Sequence, residues 1–475
     1  MSIRLDNIHF TYFEDRKDLL PGFCAEFSRS EITILTGASG CGKSTLLYLA
    51  AGIYPHGAGF LKEGTIRVEG QDPGALTPPK RCTLVGMMFQ NPELQFCMDT
   101  VENELIFCLE NICMDPAEMD RVIDEALAFC DISHLKERTL LSLSGGERQK
   151  VMLACLVALR PKWLLLDEPF ANIDDASARM IAAKLKKLNR QYGMGILAVD
   201  HRLDNWLETA DTIRVMEDGV LRPEVMTPGT LDPAVLESLG VIVPGQSYGA
   251  EILPAKEGKT VLTLEHLSVH HKDEPILTDV SASFKAGRIY AIVGPSGCGK
   301  STLFGALSGL FRYKGKALLE GKELRKLGKA DFGKIGFVTQ NPQDQFVADT
   351  VRDEIMVGLK DKETAMEVSE QILRSIKLWR YRDISPYMLS QGQQRRLGVA
   401  ALMAYDCHML VCDEPTYAQD RRNTKAIMDG LCLQARDRQV ALLFSTHDRQ
   451  LALDYADEIW ELREGSLYVF HQSGD

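Results

Sequence analysis

The feature that most constrains the fold of this chain is a nine-residue segment that occurs twice. GASGCGKST spans residues 37–45 and GPSGCGKST spans residues 294–302, and both fit the pattern GxxxxGK[ST]. Each copy follows a strand-like apolar run and precedes a helix-forming stretch, which is the strand–loop–helix context of a P-loop. Glycines in such a loop let backbone N–H groups converge on phosphate oxygens. The repeat therefore predicts two phosphate-binding α/β units in one chain.

Four further segments recur downstream in the same order, so the duplication extends through whole domains. The pairs are FQNPELQF (89–96) with TQNPQDQF (339–346), LSGGERQK (143–150) with LSQGQQRR (389–396), LLLDEPF (164–170) with LVCDEPT (410–416), and AVDHRLD (198–204) with STHDRQL (445–451). We predict two copies of one domain, at 1–225 and 260–475, joined by a linker at 226–259. The Pro and Gly residues of the linker favour a surface tether with one short helix-like run.

Composition narrows the class of protein. The formal net charge of −12 argues against a nucleic-acid backbone as the main partner. No apolar run approaches the roughly 18–20 residues that span a bilayer, and the first residues lack a signal-peptide pattern. The 12 cysteines contain no C-x-x-C pair, so we expect reduced thiols and no zinc or iron–sulfur site. We therefore expect a protein that is made and kept in the cytoplasm.

The two loops supply candidate ATP ligands. We expect the lysines Lys43 and Lys300 to reach the β- and γ-phosphates, and the serine that follows each lysine to place its hydroxyl on Mg²⁺. The candidate loop residues are Gly37, Ser39, Gly40, Gly42, Lys43, Ser44 and Thr45 in the first copy, and Gly294, Ser296, Gly297, Gly299, Lys300, Ser301 and Thr302 in the second.

Paired carboxylates end the apolar segments KWLLLDEP and HMLVCDEP. Asp167 and Asp413 are suited to bind Mg²⁺ directly or through water. Glu168 and Glu414 alternate to the other side of the strand end, where each could orient and polarise the attacking water as a general base. The alternative is a pair of solvated acids at a strand terminus.

A histidine follows another apolar strand in each copy. His201 comes after GILAV and His447 after ALLFS, at a constant offset. A single histidine in this place would more often be structural. The repetition instead favours contact with the γ-phosphate or with the catalytic glutamate.

The segment LSGGERQ before a helix is far more selective than the other motifs. Together these residues resemble the ATP-binding-cassette (ABC) ATPases, and the resemblance covers nearly all the chain. It implies an α/β fold with two tandem P-loop NTPase domains, each a RecA-like core with a helical signature subdomain and an antiparallel β subdomain. It also implies that ATP and Mg²⁺ are held between the P-loop of one cassette and the signature of the other. Fusion of two cassettes would make their closure intramolecular.

The resemblance assigns residues to two composite sites. Site one would combine Lys43, Ser44, Gln90, Asp167, Glu168 and His201 with Ser390, Gln391, Gly392 and Gln393. Site two would combine Lys300, Ser301, Gln340, Asp413, Glu414 and His447 with Ser144, Gly145, Gly146 and Glu147. The glutamines Gln90 and Gln340 would also contribute to the Mg²⁺ sites. Asp174 and Asp420 match the D-loop, which crosses the interface between cassettes in this family.

The two copies also differ. Tyr12 lies where an aromatic residue of the family stacks on adenine, and His271 is aligned with it in the second copy; either could instead be a surface strand residue. Gln391 replaces a signature glycine, which could alter the approach of the backbone to phosphate in site one, or its side-chain amide could instead add a hydrogen-bond donor there. Cys41 and Cys298 lie inside the phosphate loops, where a helix N-terminus could lower the thiol pKa.

The segments QNPELQFCMDTVENEL and QNPQDQFVADTVRDEI resemble the pattern Q-N-P-x-x-Q-x-x-x-x-T-V-x-x-E of energy-coupling-factor (ECF) transporter ATPases. YAQD after the second DEP also resembles this group. The resemblance implies uptake of a vitamin or of nickel or cobalt ions through a transmembrane coupling subunit and a substrate-binding membrane subunit. The chain would then lie peripherally at the cytoplasmic face of the cell membrane. Glu102, Glu104, Asp353 and Glu354 are candidate acceptors for arginines of the membrane subunit, or else form a solvated helix face.

Two other functions remain open at this point. The first is a twin-cassette protein that acts on ribosomes or in translation, although such proteins usually carry a long, charged, helical linker. The second is the ATPase subunit of another ABC importer. Repair ATPases carry zinc pairs or long coiled-coil insertions, and neither is present in this sequence.

Overall fold

The computed structural model divides the chain into two units, Met1–Pro244 and Gly245–Asp475. The described residues are 1–90, 95–170, 173, 175–243, 245–255, 258–271, 274–295, 297–328, 331, 333–339, 341–359, 361, 363–405, 407–417 and 419–470, without the side chains at 175, 176, 271 and 391. The first unit therefore extends beyond the predicted domain end at 225 and includes part of the predicted linker.

Among its described residues, the first unit contains both strands and helices, with three strands before its first α-helix and three consecutive α-helices between β5 and β6. Its described strands are β1 (Ser2–Thr11), β2 (Leu20–Ser28), β3 (Ile32–Thr36), β4 (Phe60–Val68), β5 (Val85–Met88), β6 (Trp163–Asp167), β7 (Gly195–Val199), β8 (Thr212–Glu217) and β9 (Val220–Met226). Its described helices are α1 (Lys43–Ala50), α2 (Pro78–Leu84), α3 (Val101–Asn111), α4 (Pro116–Phe129), α5 (Gly145–Leu159), α6 (Asp175–Tyr192) and α7 (Pro233–Ser238).

These strands form two sheets among the described residues. β2, β1 and β4 pair in that order as an antiparallel sheet. The larger sheet has the order β5-β6-β7-β3-β8-β9, parallel except for the last pair. Every residue of β3, β6 and β7 is buried, as expected of central parallel strands that are covered on both faces. The carboxyl ends of β3 and β6 therefore bring the P-loop and the DEP carboxylates to one edge.

Two hydrophobic clusters cover the faces of the large sheet. One cluster packs the antiparallel sheet and α1 against it, with Phe10, Leu46 and Trp163 fully buried. The other packs α3, α4, α5 and α6 on the opposite side, with Leu105 and Leu153 fully buried. The predicted RecA-like core with a helical subdomain and an antiparallel β subdomain is thereby confirmed for this unit.

The second unit contains ten described strands and six described helices. Its described strands are β10 (Thr260–His271), β11 (Glu274–Lys285), β12 (Ile289–Val293), β13 (Lys314–Leu319), β14 (Lys322–Glu323), β15 (Ile335–Val338), β16 (Met409–Cys412), β17 (Ala441–Ser445), β18 (Glu458–Arg463) and β19 (Ser466–Val469). Its described helices are α8 (Lys300–Leu307), α9 (Val351–Val357), α10 (Ala365–Ser375), α11 (Gln391–Met403), α12 (Arg421–Asp437) and α13 (Arg449–Tyr455).

The sheets of the second unit repeat the strand order of the first, with one additional strand, β14, at the edge of the antiparallel sheet. The antiparallel sheet is β11-β10-β13-β14, and the larger sheet is β15-β16-β17-β12-β18-β19. β12, β16 and β17 are again buried throughout. The duplication predicted from the sequence motifs is therefore a duplication of the whole fold.

The predicted surface tether is partly buried, which corrects that expectation. The segment contains α7, whose Leu236 is fully buried, and Val241 is also fully buried in the core of the first unit. Tyr248 is only 4% exposed and packs in the core of the second unit. Burial of these apolar side chains stabilises the packing of the segment against the cassettes. The Pro and Gly content of the segment did not indicate this burial.

None of the helices among the described residues combines the length and the apolar character that crossing a membrane requires.

Candidate active site

The glycines of the two P-loops have similar φ angles in both units. Gly37 has φ 140°, and a Cβ at this position would lie 2.1 Å from the carbonyl oxygen of Met216 on the neighbouring strand β8. Any side chain would therefore push the loop off the sheet edge. Gly294 is equivalent, with φ 155° and a Cβ position 2.6 Å from the carbonyl oxygen of Leu462. Glycine at the first loop position is required by this close approach.

The P-loop lysines lie buried beneath their own loops. Lys43 Nζ donates to the carbonyl oxygens of Gly37 and Ala38, at 2.8 and 2.9 Å. Lys300 Nζ donates to the corresponding carbonyls of Gly294 and Pro295, at 2.7 and 3.0 Å. Each ammonium group is thus held against the backbone of its own loop. A phosphate group bound there would contact both the loop N–H groups and the positive charge.

The predicted magnesium residues of the first unit are in contact. Ser44 Oγ, at the start of α1, donates to Asp167 Oδ1, at the end of β6, at 2.9 Å. Burial, together with the charge of Glu168, raises the pKa of Asp167 to about 7. A hydroxyl and a carboxylate at this separation form an oxygen donor set of the kind that Mg²⁺ prefers.

The second unit holds its aspartate with an additional hydroxyl. Asp413 accepts a hydrogen bond from Ser301 and a second from Ser445 Oγ, whose distance to Asp413 Oδ1 is 2.6 Å. Ser445 Oγ also accepts the backbone N–H of Glu414 at 3.0 Å. The first unit has Val199 at this position, and the backbone N–H of Glu168 donates to its carbonyl oxygen at 2.8 Å. Sequence reasoning missed this difference, although aligning the two copies at the histidines would have revealed it.

The two candidate general bases each contact the predicted histidine. Glu168 Oε1 lies 3.1 Å from Nδ1 of His201, and its Oε2 accepts from Nε2 of Gln90 at 2.7 Å. Glu414 Oε1 contacts His447 through the other ring nitrogen, Nε2. The sequence predicted that each histidine contacts either the γ-phosphate or the catalytic glutamate. In both units the histidine contacts the glutamate.

Both glutamates have a left-handed backbone, with φ 47° at Glu168 and 49° at Glu414. This conformation is unfavourable for a side chain of this type, and such strain is common at functional sites. It turns the chain sharply at the end of β6 and of β16. The aspartate and the glutamate can therefore point to different sides of the strand end.

Electrostatics favour an ion pair between Glu168 and His201. Burial alone would raise the pKa of Glu168, but the positive charge and hydrogen bond of His201 outweigh it and the pKa is lowered. Burial likewise disfavours protonated His201, yet the charge of Glu168 raises the pKa of this histidine above its usual value. Glu168 is thus kept as a carboxylate that can accept a hydrogen bond.

The signature motifs begin helices in both units. Ser144 caps α5, and its hydroxyl accepts the backbone N–H of Glu147 while the side chain of Glu147 accepts the backbone N–H of Ser144. Ser390 and Gln393 form the same reciprocal cap at α11. Gly145, Gly146 and Gly392 lie in the first turns of these helices.

Tyr12 faces the P-loop of its own unit. Its hydroxyl lies 2.8 Å from Oγ1 of Thr45, and its ring packs edge-on against Phe10 and Tyr54. The aromatic contacts continue from Tyr54 to Tyr48, and from Tyr48 to Phe89, the residue before Gln90. The second unit has Gly305, Phe311 and Thr339 at the positions of Tyr48, Tyr54 and Phe89. This aromatic row is a second difference that the motifs alone did not predict.

Some predicted residues are not tested by this geometry. Asp174, Ser296 and Gln340 lie outside the described residues, as do the side chains of His271 and Gln391. Asp420 is described: it is 3% exposed and caps α12 through Oδ1, which accepts the N–H of Asn423 at 2.8 Å. The composite arrangement, with a signature from the other cassette, stays a prediction.

The prediction of activated thiols is wrong. Cys41 is only 6% exposed, and burial raises the pKa of its thiol despite the nearby charge of Lys43. Burial also raises the pKa of Cys298. Desolvation therefore exceeds the effect of the helix N-terminus at both positions.

Two of the four candidate partner-binding acids have a structural role instead. Glu104 and Glu354 are 2% and 4% exposed. Oε2 of Glu104 accepts the backbone N–H groups of Cys97 and Met98, and Oε2 of Glu354 accepts those of Val347 and Ala348. Their carboxylates shape the loop before α3 and α9. The remaining candidates, Glu102 and Asp353, are more exposed, and Glu102 lies 3.4 Å from the ammonium of Lys136.

Known proteins are similar to this sequence over nearly its whole length. The sequence profile described as "ABC transporter" matches residues 22–171 and 277–417. The chain is 34% identical over 496 residues to "Putative HMP/thiamine import ATP-binding protein YkoD" of Bacillus subtilis, covering 98% of this chain and 90% of that protein. It is 30% identical over 495 residues to "Putative ABC transporter ATP-binding protein SSO1893" of Saccharolobus solfataricus, covering 98% and 93%.

Solved structures share the tandem fold at lower identity. The archaeal ribosome recycling factor aABCE1, solved in complex with the ribosomal stalk protein aP1, matches with a TM-score of 0.65 and 18% identity, over 97% of this chain and 89% of that one. A structure titled "RNase-L Inhibitor" matches with a TM-score of 0.62 and 18% identity, over 98% and 91%. At this identity the likeness shows the fold alone. From the profile match, the full-length relatives and the duplicated P-loop fold together, the chain belongs to the ABC transporter family and is an ATPase with two fused cassettes.

Proposed function

We propose that this ATPase is the energy-coupling subunit of an ECF-type importer, which drives uptake of a vitamin or a transition-metal ion through membrane partner subunits. The observation that carries the proposal is the Q-N-P-x-x-Q-x-x-x-x-T-V-x-x-E pattern, present in both cassettes at 90–104 and 340–354. In this family such a segment lies where the ATP site meets the groove that receives helices of a membrane subunit.

The pattern positions that are described in both cassettes have the same structural roles. Oε1 of Gln95 accepts the N–H of Phe89 at 2.7 Å, and Oε1 of Gln345 accepts that of Thr339 at 3.3 Å. The threonines cap α3 and α9, and the valines after them are fully buried. The final glutamates accept two loop amides each, as described above. These matching roles argue against a chance occurrence of the pattern and support its use as a mark of ECF transporter ATPases.

We also propose roles for the residues of the first site, and the second site repeats them. Lys43 binds the phosphates, and Ser44 with Asp167 holds Mg²⁺, which when bound neutralises charge that develops on the phosphoryl group. Glu168 orients the attacking water and accepts its proton. His201 holds the carboxylate of Glu168 by charge and hydrogen bond. The corresponding residues of the second cassette are Lys300, Ser301, Asp413, Glu414 and His447.

The name of one full-length relative favours a vitamin-related substrate. That protein is named for HMP/thiamine import, and it is similar to this chain along nearly the whole of both sequences. We propose thiamine or its pyrimidine precursor as the first substrates to assay. Substrate choice in this family resides in a separate membrane protein, so the cassettes themselves do not narrow it further.

Purification from detergent-solubilised membranes tests the proposal. The tagged chain should co-purify with small multi-span membrane proteins, and the complex in vesicles should accumulate labelled thiamine only when ATP is supplied. The variant Glu168→Gln/Glu414→Gln should bind the same partners without uptake. Co-purification with ribosomal proteins, in place of a multi-span partner, would reject the importer and favour a role at the ribosome.

A charge-reversal series tests the docking surface separately. The variant Glu102→Lys/Asp353→Lys should weaken capture of the membrane subunit, because both acids lie within the Q-N-P-x-x-Q-x-x-x-x-T-V-x-x-E segments and are accessible. Glu63→Lys, an exposed acid on β4, is the matched control and should leave capture unchanged. Equal capture by all three proteins would remove the two acids from the docking surface.

A further inference from the structure

The segment that connects the cassettes, residues 241–250, makes specific contacts with catalytic loops. In the first unit, the backbone N–H of Ile242 donates to the carbonyl oxygen of His201 at 2.9 Å. Ile242 also forms an isolated parallel bridge with Arg202, the next residue of that loop. The connecting segment is thus attached by its backbone to the loop that carries His201.

The same segment contacts the corresponding loop of the second unit through a side chain. The hydroxyl of Tyr248 donates to Asp448 Oδ2 at 2.7 Å, and Asp448 directly follows His447. The other oxygen of Asp448 accepts the N–H of Leu451 at 3.1 Å and caps α13. Asp448 is therefore held from two directions, and the adjacent His447 contacts Glu414 through Nε2.

A second set of contacts reaches the predicted D-loop. Arg421 directly follows Asp420, is 4% exposed, and donates to the carbonyl oxygens of Gln246 and Ser247. Its guanidinium carbon lies 4.7 Å from the ring centroid of Tyr248, in a cation–π arrangement. A tyrosine that is 4% exposed thus contacts residues adjacent to both His447 and Asp420.

These contacts differ in kind from those of ordinary linker packing. Apolar burial would hold the segment against the unit without fixing the orientation of a nearby loop. A partly buried hydroxyl-to-carboxylate hydrogen bond has a strict geometry and is stronger than a neutral one. It therefore restricts the conformations available to the loop that carries His447.

We propose that Tyr248 is a positioning residue for the second ATP site. Through Asp448 and Arg421 it fixes the loops that present His447 and Asp420, so that the connecting segment takes part in ATP hydrolysis rather than only joining the cassettes. The inference rests on the roles proposed above for Glu414 and His447. It goes beyond them by adding a residue that lies in none of the shared motifs.

The test isolates the second site and removes one hydroxyl. Tyr248→Phe is made in the full chain that carries Glu168→Gln, and kcat and KM for ATP are measured together with the melting temperature. Because misplacing a catalytic group weakens the chemical step more than substrate binding, we expect kcat to fall about tenfold with KM changed less than about twofold. Hydrogen exchange of the backbone amides at 446–451 should accelerate in the same variant.

Tyr468→Phe is the matched control, because Tyr468 is 56% exposed on β19 and the chemical change is identical. It should leave kcat and exchange at 446–451 unchanged. A lower melting temperature with unchanged kcat in Tyr248→Phe would overturn the proposal, since it would show a structural role only. If Tyr248→Phe does not fold, Arg421→Lys replaces it, with the same kcat loss expected and unchanged kcat again counting against the proposal.

One further variant separates this inference from the assignment on which it rests. Glu414→Gln in the same background should abolish ATP turnover. If turnover persists, the proposed role of Glu414 is wrong and the positioning claim falls with it. If turnover is lost while Tyr248→Phe leaves kcat intact, only the positioning claim is rejected.

Discussion

Ser445 offers a direct test of how the second cassette holds its carboxylates. This residue ends β17, is fully buried, and uses one hydroxyl for two interactions. Its Oγ donates to Asp413 Oδ1 at 2.6 Å and accepts the N–H of Glu414 at 3.0 Å. Ser445→Ala removes both interactions. Val199→Ala, at the same position of the first cassette, removes only methyl groups.

The contacts set the size of the expected effect. Losing a hydrogen bond to a charged group costs about 1.5–3 kcal/mol, and leaving a buried N–H unpaired costs about 1–3 kcal/mol. Since the two terms share one hydroxyl, we expect Ser445→Ala to destabilise the end of β17 by about 3–5 kcal/mol in total. Val199→Ala should cost about 2 kcal/mol, from the lost apolar burial and the small cavity.

Native-state hydrogen exchange measures the two cassettes separately. In Ser445→Ala, the free energy of exchange should fall for the amides of β16 and β17. In Val199→Ala, the free energy of exchange for the amides of β6 and β7 should fall by a smaller amount. Ser445→Thr keeps the hydroxyl and should recover much of the loss. The reasoning is refuted if Ser445→Ala costs no more than Val199→Ala.

Three further predictions follow from the site. The pKa of His201 is raised and that of Glu168 is lowered, so their ion pair stabilises the fold most between pH 4.5 and 6.5, the ordinary pKa values of the two groups. This stabilisation is lost as pH rises through the raised pKa of His201. In His201→Gln, the free energy of unfolding in urea should therefore decline less steeply above pH 6.5. Because the pKa of Asp167 is raised to about 7, Mg²⁺ must displace a proton from this carboxyl group. Mg²⁺-dependent binding of a fluorescent ATP analogue to the first site should therefore tighten as pH rises through 7. Asp167→Asn should remove this pH dependence. Glu354→Ala leaves two loop amides unpaired and should cost ~3 kcal/mol in thermal unfolding, while Asp353→Ala should cost under ~1 kcal/mol; equal costs would contradict the buried role of Glu354.

The motifs predicted much of the site because their chemistry is local. A P-loop needs glycines, a lysine and a hydroxyl at fixed spacing, and all of these lie within nine residues of one strand–helix junction. The contacts of Ser44 with Asp167 and of His201 with Glu168 could also be anticipated. Parallel strands that end at one sheet edge bring their following residues together.

Other expectations failed because their outcome depends on burial. The thiol of Cys41 was expected to have a lowered pKa from its position before a helix, but the side chains packed over it exclude water and raise the pKa. Glu104 and Glu354 look like free acids on a helix, yet each turns inward to satisfy two loop amides. Sequence position identifies neither outcome, because burial depends on residues that are distant in the chain.

The sequence by itself determined that this protein is a duplicated P-loop ATPase, since five ordered motif pairs leave no other arrangement that satisfies their spacing. Only the tertiary structure decided which contacts the differing residues make. The partner of Asp413 lies on β17, at residue 445, and the partner of Asp448 lies in the connecting segment, at residue 248. Hydrogen bonds across such separations are fixed by the packing of whole elements, so no local pattern records them.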